Sequence, residues 1–377
     1  MDLERSDDQE LFRETTRRFL ESTAPVATVR QWSEKEPSGY PADWWRRGAE
    51  LGWVSLLVAE EDGGGSVSGT GLADLALVAE EMGRLVSPGP LLMANVVASA
   101  VSDLGTADQR AEVLPGLLSG ESVATWCLAE PTTPAVGGDG VALEAVDDGA
   151  RFVLTGVKLP VEAAADAGHL LVTARVDGGL TQFLVPAATP GVTVSPLQSL
   201  DLSRRFAEVR FDGVTVGPES VLGEVGAAAD QVERQLQTVV ALQCATMVGA
   251  VDEMFTRTVE YAFDRFSFGR ALASYQALKH RFADMKLWLE ASHATTVGAV
   301  RSVDAGEERA AELVSVAKSY VGTKGPVILQ DCVQLHGGIG VTWDHDLHLY
   351  LRRVVQERAL FGTPEEHRER IAARMGV

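Results

Sequence analysis

Hydrophobic residues recur at the spacing of amphipathic helices from about residue 7 to residue 119. Leu11, Phe12 and Phe19 fall on one such stripe, and prolines and a glycine at 88–90 interrupt the pattern later. A second stripe consists of Leu72, Leu75, Leu77, Val78 and Met82. We therefore predict a helical domain over residues 1–120.

The hydrophobic period changes between about residues 121 and 223, where short apolar runs alternate with glycine, aspartate and proline. The runs at 169–176, 180–185 and 207–211 have the length and composition of β-strands. Long helical patterns return at about residue 227, and one of them covers 274–300. Helices followed by strands and then helices indicate an α+β protein, with a β-domain over 121–225 and a second helical domain over 226–377.

The size and charge of the chain restrict its possible ligands. With 377 residues, the chain can bury a large cofactor. It carries 33 Lys and Arg against 53 Asp and Glu, for a net charge of −20. This charge repels nucleic acid and anionic lipid, and a phosphate-bearing ligand would need a local basic patch.

Cysteine usage and hydropathy predict a soluble protein of the reducing cytoplasm. Cys127, Cys244 and Cys332 are odd in number and far apart, which argues against a disulfide framework or a zinc site. The N-terminus lacks a basic start followed by an apolar run, and the apolar stretch 91–101 is too short to cross a bilayer. We expect no membrane insertion.

An Arg-x-x-Phe-Gly segment begins at Arg265, and Gln276 follows eleven residues after that arginine. A guanidinium group binds a pyrophosphate with two hydrogen bonds, and the ring of Phe268 can pack against an adenosine. A lone arginine at this point would more commonly cap a helix or form a salt bridge there.

A glycine-rich turn follows 69 residues after Arg265, beginning at Gln334 and including Gly337 and Gly338. Glycine allows positive φ angles and close approach of the main chain to an anion, although a helix end would use the same residues. We expect His336, beside this turn, to hydrogen-bond to the backbone. His345 and His348 have no further ligand at a recognised metal spacing, so no metal site is predicted.

These two motifs, with segments such as 49–64, 80–84 and 216–223, resemble the acyl-CoA dehydrogenase superfamily along almost the whole chain. The similarity extends to actinobacterial members, including subunits of heteromeric enzymes. It implies an N-terminal helical domain, a middle β-barrel domain and a C-terminal four-helix bundle. It also implies the cofactor FAD, α,β-dehydrogenation of an acyl-CoA or related thioester, and a dimer or tetramer of like or unlike chains. A role in fatty acid or steroid metabolism and an electron-transfer flavoprotein as partner follow from the same resemblance.

The resemblance also assigns cofactor contacts. In the family, the arginine motif and its glutamine reach FAD that is held mainly by a neighbouring subunit, and the glycine turn lies near the pyrophosphate. A strand of the β-domain runs along the flavin edge. The implied cofactor-binding residues are Arg265, Phe268, Gln276, Gln334, Gly337, Gly338, Trp126, Leu128, Ala129 and Thr363.

The catalytic base implied by the family is missing at its usual position. Removing the weakly acidic α-proton of a thioester requires a carboxylate above the α-carbon. In most members this is the Glu of a Tyr-Glu-Gly-Thr motif, and the corresponding residue, 27 positions after Gln334, is Phe361. Glu357, one helical turn earlier, is a weak candidate base, because a solvated helix-terminal charge is its more common interpretation.

Other members carry the base on the helix that precedes the arginine motif. That location falls near Val239, where Gln237 and Gln243 are the nearest polar residues and neither side chain is a useful proton acceptor. The catalytic residue is therefore unknown from the sequence.

The β-domain also departs from the family pattern. Ala129 replaces a threonine, Pro160 and Glu162 replace a tryptophan and a threonine that contact the flavin, and a glycine-rich continuation is absent from 132–136. Three interpretations remain open. The chain is a base-lacking or non-catalytic subunit of a hetero-oligomer, a dehydrogenase with an unrecognised base, or a flavin-dependent monooxygenase of the same fold.

Overall fold

A computed structural model describes residues 5–131 and 136–376, and its first part is helical. Helix α1 begins after Ser6, whose side chain accepts from Gln9 N while the Gln9 side chain accepts from Ser6 N. Thr106 and Gln109 form the same capping box at the start of α6. The six helices are α1 (Asp7–Thr23), α2 (Val26–Lys35), α3 (Ala42–Glu50), α4 (Gly71–Arg84), α5 (Leu91–Leu104) and α6 (Ala107–Leu118).

The middle part is all-β, as predicted. Its strands are β1 (Ala124–Cys127), β2 (Glu144–Asp147), β3 (Phe152–Glu162), β4 (His169–Val176), β5 (Gly179–Pro186), β6 (Val192–Leu197), β7 (Phe206–Val216) and β8 (Val221–Leu222). They form one sheet in the order β6-β7-β3-β2-β4-β5-β8, and β1 pairs in parallel with β4. The expected barrel is not closed, because β6 and β8 do not pair with each other in the described residues.

The C-terminal part is helical again. It contains α7 (Ala229–Asp264), a short hairpin of β9 (Phe266–Ser267) and β10 (Arg270–Ala271), α8 (Gln276–Asp304), α9 (Ala310–His336), α10 (Leu347–Ala359) and α11 (Pro364–Arg374). Helix α7 is long and apolar enough to cross a membrane, but 83% of its most apolar stretch is buried inside the fold. It is the central helix of the core, packed against α4, α8, α9 and α10.

The three parts meet at Arg353 of α10. Its guanidinium is buried, forms an ion pair with Asp201 of the β6–β7 connection, and donates to Ser203 Oγ at 2.7 Å. The same group donates to the carbonyl oxygens of Val86 and Ser87, between α4 and α5, at 3.2 and 3.0 Å. One side chain thus fixes the helical parts and the sheet around the region where the cofactor contacts were predicted.

Candidate functional site

Phe361 lies in the short connection between α10 and α11. Its φ angle is +55°, a left-handed conformation that is unfavourable for a bulky residue, and Gly362 follows at +98°. The turn is held by His367, whose Nε2 donates to Phe361 O at 3.0 Å, and by Thr363, which caps α11. The backbone therefore fixes the direction of the Phe361 side chain.

His367 supports this turn as a neutral ring. The side chain is buried, and its Nδ1 lies 3.1 Å from Ser315 Oγ of α9. Burial lowers the pKa of His367 to about 3, because the imidazolium form would lose its hydration. The imidazole therefore stays uncharged near neutral pH.

The ring of Phe361 stacks on Trp126 at the inner face of the sheet. The ring centroids are 6.1 Å apart and the planes differ by 15°. Trp126 is buried, and its Nε1 donates to Thr173 Oγ1 at 2.9 Å, so the indole is held in place. A cavity of about 230 Å³ remains, lined by Trp126, Ala129, Pro160, Glu162, Phe361 and Thr363, among others. We call this the inner cavity.

A buried charge cluster lies beside the inner cavity. Arg204, from the β6–β7 connection, forms ion pairs with Glu162 of β3 and Glu357 of α10, and all three side chains are at most 6% exposed. Burial alone would lower the pKa of Arg204, but the two carboxyl groups raise it, so the guanidinium remains charged. Burial raises the pKa of Glu162, as expected where two carboxyl groups share one cation.

Glu357 is therefore buried and ion-paired, and the expectation of a solvated helix-terminal charge is wrong. Its Oε1 atom contacts Arg204, whereas Oε2 has no hydrogen-bond partner among the described residues. The sequence did not identify Arg204 as part of the site, because its partners are 42 and 153 residues away.

Lys318 of α9 connects this cluster to the turn at Phe361. Its buried Nζ donates to Glu357 O at 2.5 Å, to Leu360 O at 2.8 Å and to Gln243 Oε1 at 2.8 Å. Burial lowers the pKa of Lys318 to about 8. Gln243 lies near the position on α7 where other family members carry the base. Here its side chain accepts a hydrogen bond from Lys318 and so has a structural partner.

The nearest carboxylate on the same helix face as Gln237 is Glu233, which pairs with Arg370 at 2.6 Å. Val239 is fully buried in the core of α7, and the Gln237 amide donates to Glu233 Oε1 at 3.1 Å.

The backbone at the predicted flavin-edge strand forms hydrogen bonds with other residues of the chain. Leu128 O accepts from Lys158 Nζ at 3.1 Å, and Ala129 O accepts from Leu159 N at 2.8 Å. Lys158 also pairs with Glu130 at 2.6 Å. The segment 132–136, from which the family's glycine-rich continuation is absent, falls mostly at 132–135, outside the described residues.

The arginine motif forms an exposed hairpin between α7 and α8. Phe268 and Gly269 make its tip with φ angles of +50° and +82°, and the Phe268 side chain is 98% exposed. Arg265 and Gln276 are also exposed, at the start of the hairpin and of α8. The guanidinium of Arg270 lies 3.8 Å from the ring centre of Tyr275, which braces the hairpin.

The glycine turn lies at the same end of the helices. Gln334, Gly337 and Gly338 are exposed where α9 ends, and Gly337 has a φ angle of +65°. His336 stacks on Tyr261 with ring centroids 4.4 Å apart, and Tyr261 OH donates to His336 O at 3.3 Å. This contact joins the end of α7, just before the hairpin, to the glycine turn.

His336 is held by the backbone, as expected from the sequence. Its Nδ1 donates to Cys332 O at 2.8 Å within α9, and the side chain is buried.

The predicted cofactor residues thus form two groups. Trp126, Leu128, Ala129 and Thr363 lie at or near the inner cavity, whereas the other six lie on the exposed end of α7, α8 and α9, which we call the outer face. The inner cavity is smaller than the roughly 300–1,000 Å³ of typical ligand pockets. The outer face offers an exposed guanidinium, side-chain amides and a glycine turn, which fit a pyrophosphate.

Comparison with known proteins agrees with this architecture. Residues 6–121 match the family described as acyl-CoA dehydrogenase, N-terminal domain, and residues 230–376 match acyl-CoA dehydrogenase, C-terminal domain. Over 369 residues the chain is 30% identical to acyl-CoA dehydrogenase IpdE2 of Mycolicibacterium smegmatis, covering 98% of this chain and 99% of the relative.

Solved structures show the same fold. A variant of the steroid ACAD Tcur3481-Tcur3483 has a TM-score of 0.88 and 28% identity, with 98% of each chain covered. A glutaryl-CoA dehydrogenase from Mycobacterium smegmatis in complex with FADH2 has a TM-score of 0.89 and 23% identity, with 99% of this chain and 96% of that chain covered. The fold and these similarities define a flavoprotein oxidoreductase class. The chain belongs to the acyl-CoA dehydrogenase family, as its sequence motifs predicted.

Proposed function

We propose that this chain is a cofactor-contacting subunit of a hetero-oligomeric acyl-CoA dehydrogenase. A partner subunit supplies the catalytic carboxylate and the flavin-ring site, and this chain supplies the outer face. The observation that carries the proposal is the stacking of Phe361 on Trp126, which places an aromatic ring where the family has its base. FAD bound by the partner would supply the electron acceptor, and this chain would orient it.

The carboxyl groups nearest to Phe361 support a non-catalytic role. A general base needs a carboxylate that can approach the substrate proton to hydrogen-bond distance. Glu162 and Glu357 are both committed to Arg204 in a buried cluster. We infer that Glu357 acts as a counter-ion of Arg204 that fixes α10 to the sheet.

The outer face supports assembly with a second chain. Arg265, Gln276 and Gln334 are exposed there, and a guanidinium with two side-chain amides suits a pyrophosphate held by a neighbouring chain. Large apolar side chains are exposed nearby, and contiguous patches of this kind mark protein interfaces. These residues are Phe263, Phe266, Phe268, Ile339, Val341 and Trp343, and their exposure ranges from 49% to 98%. We propose a dimer or tetramer.

The relatives support the choice of substrate and of an unlike partner. The solved steroid ACAD with 28% identity is named Tcur3481-Tcur3483, a name that combines two protein names. By this similarity, we propose an acyl-CoA thioester of fatty acid or steroid metabolism as substrate and an electron-transfer flavoprotein as electron acceptor. The three free, buried cysteines suit a cytoplasmic protein.

The test is to purify the chain alone and with a homologous subunit that retains the Tyr-Glu-Gly-Thr glutamate. We expect the chain alone to hold little FAD, and the pair to be yellow and to show acyl-CoA-dependent loss of flavin absorbance. Arg265→Ala should reduce the FAD content of the pair, whereas the matched control Arg309→Ala, at an exposed position at the opposite end of α9, should leave the FAD content unchanged. A chain that alone holds stoichiometric FAD and oxidises acyl-CoA contradicts the proposal.

A further inference from the structure

A second cavity, of about 850 Å³, lies where the start of α1 meets α4, α7 and α8. No described residue lines both this cavity and the inner cavity beside Phe361. Its volume is within the roughly 300–1,000 Å³ range of small-molecule sites. We call it the α4–α8 cavity.

The walls of the α4–α8 cavity are largely apolar. Leu77 of α4, Ala245 of α7, and Val297 and Val300 of α8 contribute, and all of these except Val297 are buried. Such a surface suits the hydrocarbon body of a ligand, because burying it removes apolar area from water.

One buried hydroxyl group in this cavity has no partner. Thr296 is 5% exposed, and its Oγ1 makes no hydrogen bond within the described residues. Most helical threonines with a free hydroxyl bond to the carbonyl four residues earlier, as Thr295 does to Ala291 O at 2.9 Å. An unpaired buried hydroxyl is costly, so a ligand group that pairs with Thr296 would gain free energy.

Glu80 of α4 contributes a carboxylate to the wall of the cavity. Its carboxylate lies 3.5 Å from Arg5 Nη2, and the Arg5 side chain is 36% exposed. Burial raises the pKa of Glu80, and the nearby positive charges of Arg5 and His293 offset only part of this effect. Asp304 also lines the cavity, and its two oxygens accept from Leu72 N and Ala73 N at 2.9 and 2.8 Å.

The remaining charges leave the cavity acidic. Four carboxylates line it, together with two arginines and one histidine. The histidine, His293, lies 3.9 Å from Asp252, a carboxylate outside the cavity. Because the carboxylates outnumber the arginines, the cavity favours a cationic ligand.

We propose that the α4–α8 cavity binds a small amphipathic amine, a site that is separate from the cofactor-contacting function proposed above. An ammonium group has three donors and no acceptor, which suits the Glu80 carboxylate together with the Thr296 hydroxyl. The hydrocarbon part lies against Leu77, Val297 and Val300. A fatty acid of the same length would place its carboxylate beside Glu80 and is rejected.

The probe is hexylammonium, titrated calorimetrically into the purified full chain, with hexanoate and 1-hexanol as comparisons at the same pH and ionic strength. We expect saturable binding of one hexylammonium with a Kd on the order of 1 mM or tighter, since small ligands reach high efficiencies per atom. Hexanoate and hexanol should bind at least about tenfold more weakly, because they lack the charge-assisted hydrogen bond to Glu80.

Three variants test the site itself. Glu80→Gln and Thr296→Val should each weaken hexylammonium binding, the former about tenfold or more. Ala76→Phe, on the cavity wall, should abolish it by filling the space. The matched controls Glu14→Gln, on an exposed part of α1, and Thr295→Val, adjacent on α8, should bind as the unaltered chain does.

Three results would overturn the proposal. These are the lack of saturable hexylammonium binding, equal binding of hexanoate, and unchanged affinity in both Glu80→Gln and Thr296→Val. Circular dichroism of each variant checks folding, and the two near-isosteric variants decide the outcome if Ala76→Phe does not fold. FAD content is not part of the readout, so failure of this proposal is distinguishable from failure of the proposed function.

Discussion

The rings of Phe361 and Trp126 are nearly parallel with centroids 6.1 Å apart, although 235 positions separate the two residues in the sequence. Phe361 belongs to the turn between α10 and α11, and Trp126 belongs to the strand β1. Their contact joins the sheet to the turn between α10 and α11, beside the inner cavity. The residue that the family resemblance aligns with the catalytic glutamate is therefore an aromatic ring that packs on Trp126.

The first prediction concerns this ring pair. Phe361→Glu should open space beside Trp126 and introduce a carboxylate, so that acyl-CoA bleaches the absorbance of FAD added to the variant, whereas the unaltered chain stays silent. Leu11→Glu, at an exposed apolar position of α1, is the control and should also stay silent. Bleaching by the unaltered chain that disappears in a folded Glu357→Gln variant would identify Glu357 as a base instead.

The second prediction concerns Arg265 on the outer face. In the assembled pair of subunits, Arg265→Ala should lose FAD more readily than Arg265→Lys, because lysine keeps the charge but lacks the two-pronged geometry of a guanidinium. The measurement is flavin absorbance per protein after gel filtration. Equal retention by both variants and the unaltered protein would rule out the pyrophosphate contact.

The third prediction concerns assembly. The holoprotein should contain two or four chains, and Phe268→Asp should shift it towards smaller species, because a charge replaces an exposed ring at the tip of the hairpin. Light scattering at micromolar concentration measures the mass. A monomer that retains FAD contradicts the prediction, and Val146→Asp, at an exposed position of β2, is the control.

The fourth prediction concerns the buried cation Arg204. Arg204→Met removes the partner of Glu162 and Glu357 and should lower the free energy of unfolding by about 3–5 kcal/mol, since both carboxyl groups stay buried. Arg210→Met, which breaks an exposed pair with Glu208, should cost less than about 1 kcal/mol. Urea denaturation measures both. Similar losses would show that the charge cluster does not stabilise the fold.

The fifth prediction concerns acid stability. The pKa of His367 is about 3 in the folded chain and should rise to its ordinary value of 6.5 on unfolding. The unfolded state then binds more protons between these values, so stability falls as the pH is lowered from 6.5 towards 3, by an amount on the order of 4 kcal/mol. His367→Gln should flatten this part of the stability profile, whereas His280→Gln, at an exposed position, should not. An unchanged slope in His367→Gln would assign the acid sensitivity to other groups.

The sequence by itself determined the order of helices and strands, because hydrophobic periodicity follows directly from how each element buries one face. It also predicted the family, from motifs such as the one that begins at Arg265, and the missing carboxylate at Phe361. These features are local in the sequence, so residue types and spacings are sufficient to detect them. Domain limits at 120 and 225 remain predictions.

Only the tertiary structure decided what surrounds Phe361. Arg204 forms ion pairs with Glu162 of β3 and Glu357 of α10. The charges within either element do not determine which distant cation each carboxylate contacts. Glu357 illustrates the limit, since helix-end position suggested solvent exposure whereas packing buried it. Only the structure showed that the sheet is not closed into a barrel. Closure depends on how the edge strands β6 and β8 are placed in space, which local sequence patterns do not determine. Long-range packing and the cost of burying charge set these features, and neither is encoded in local spacing.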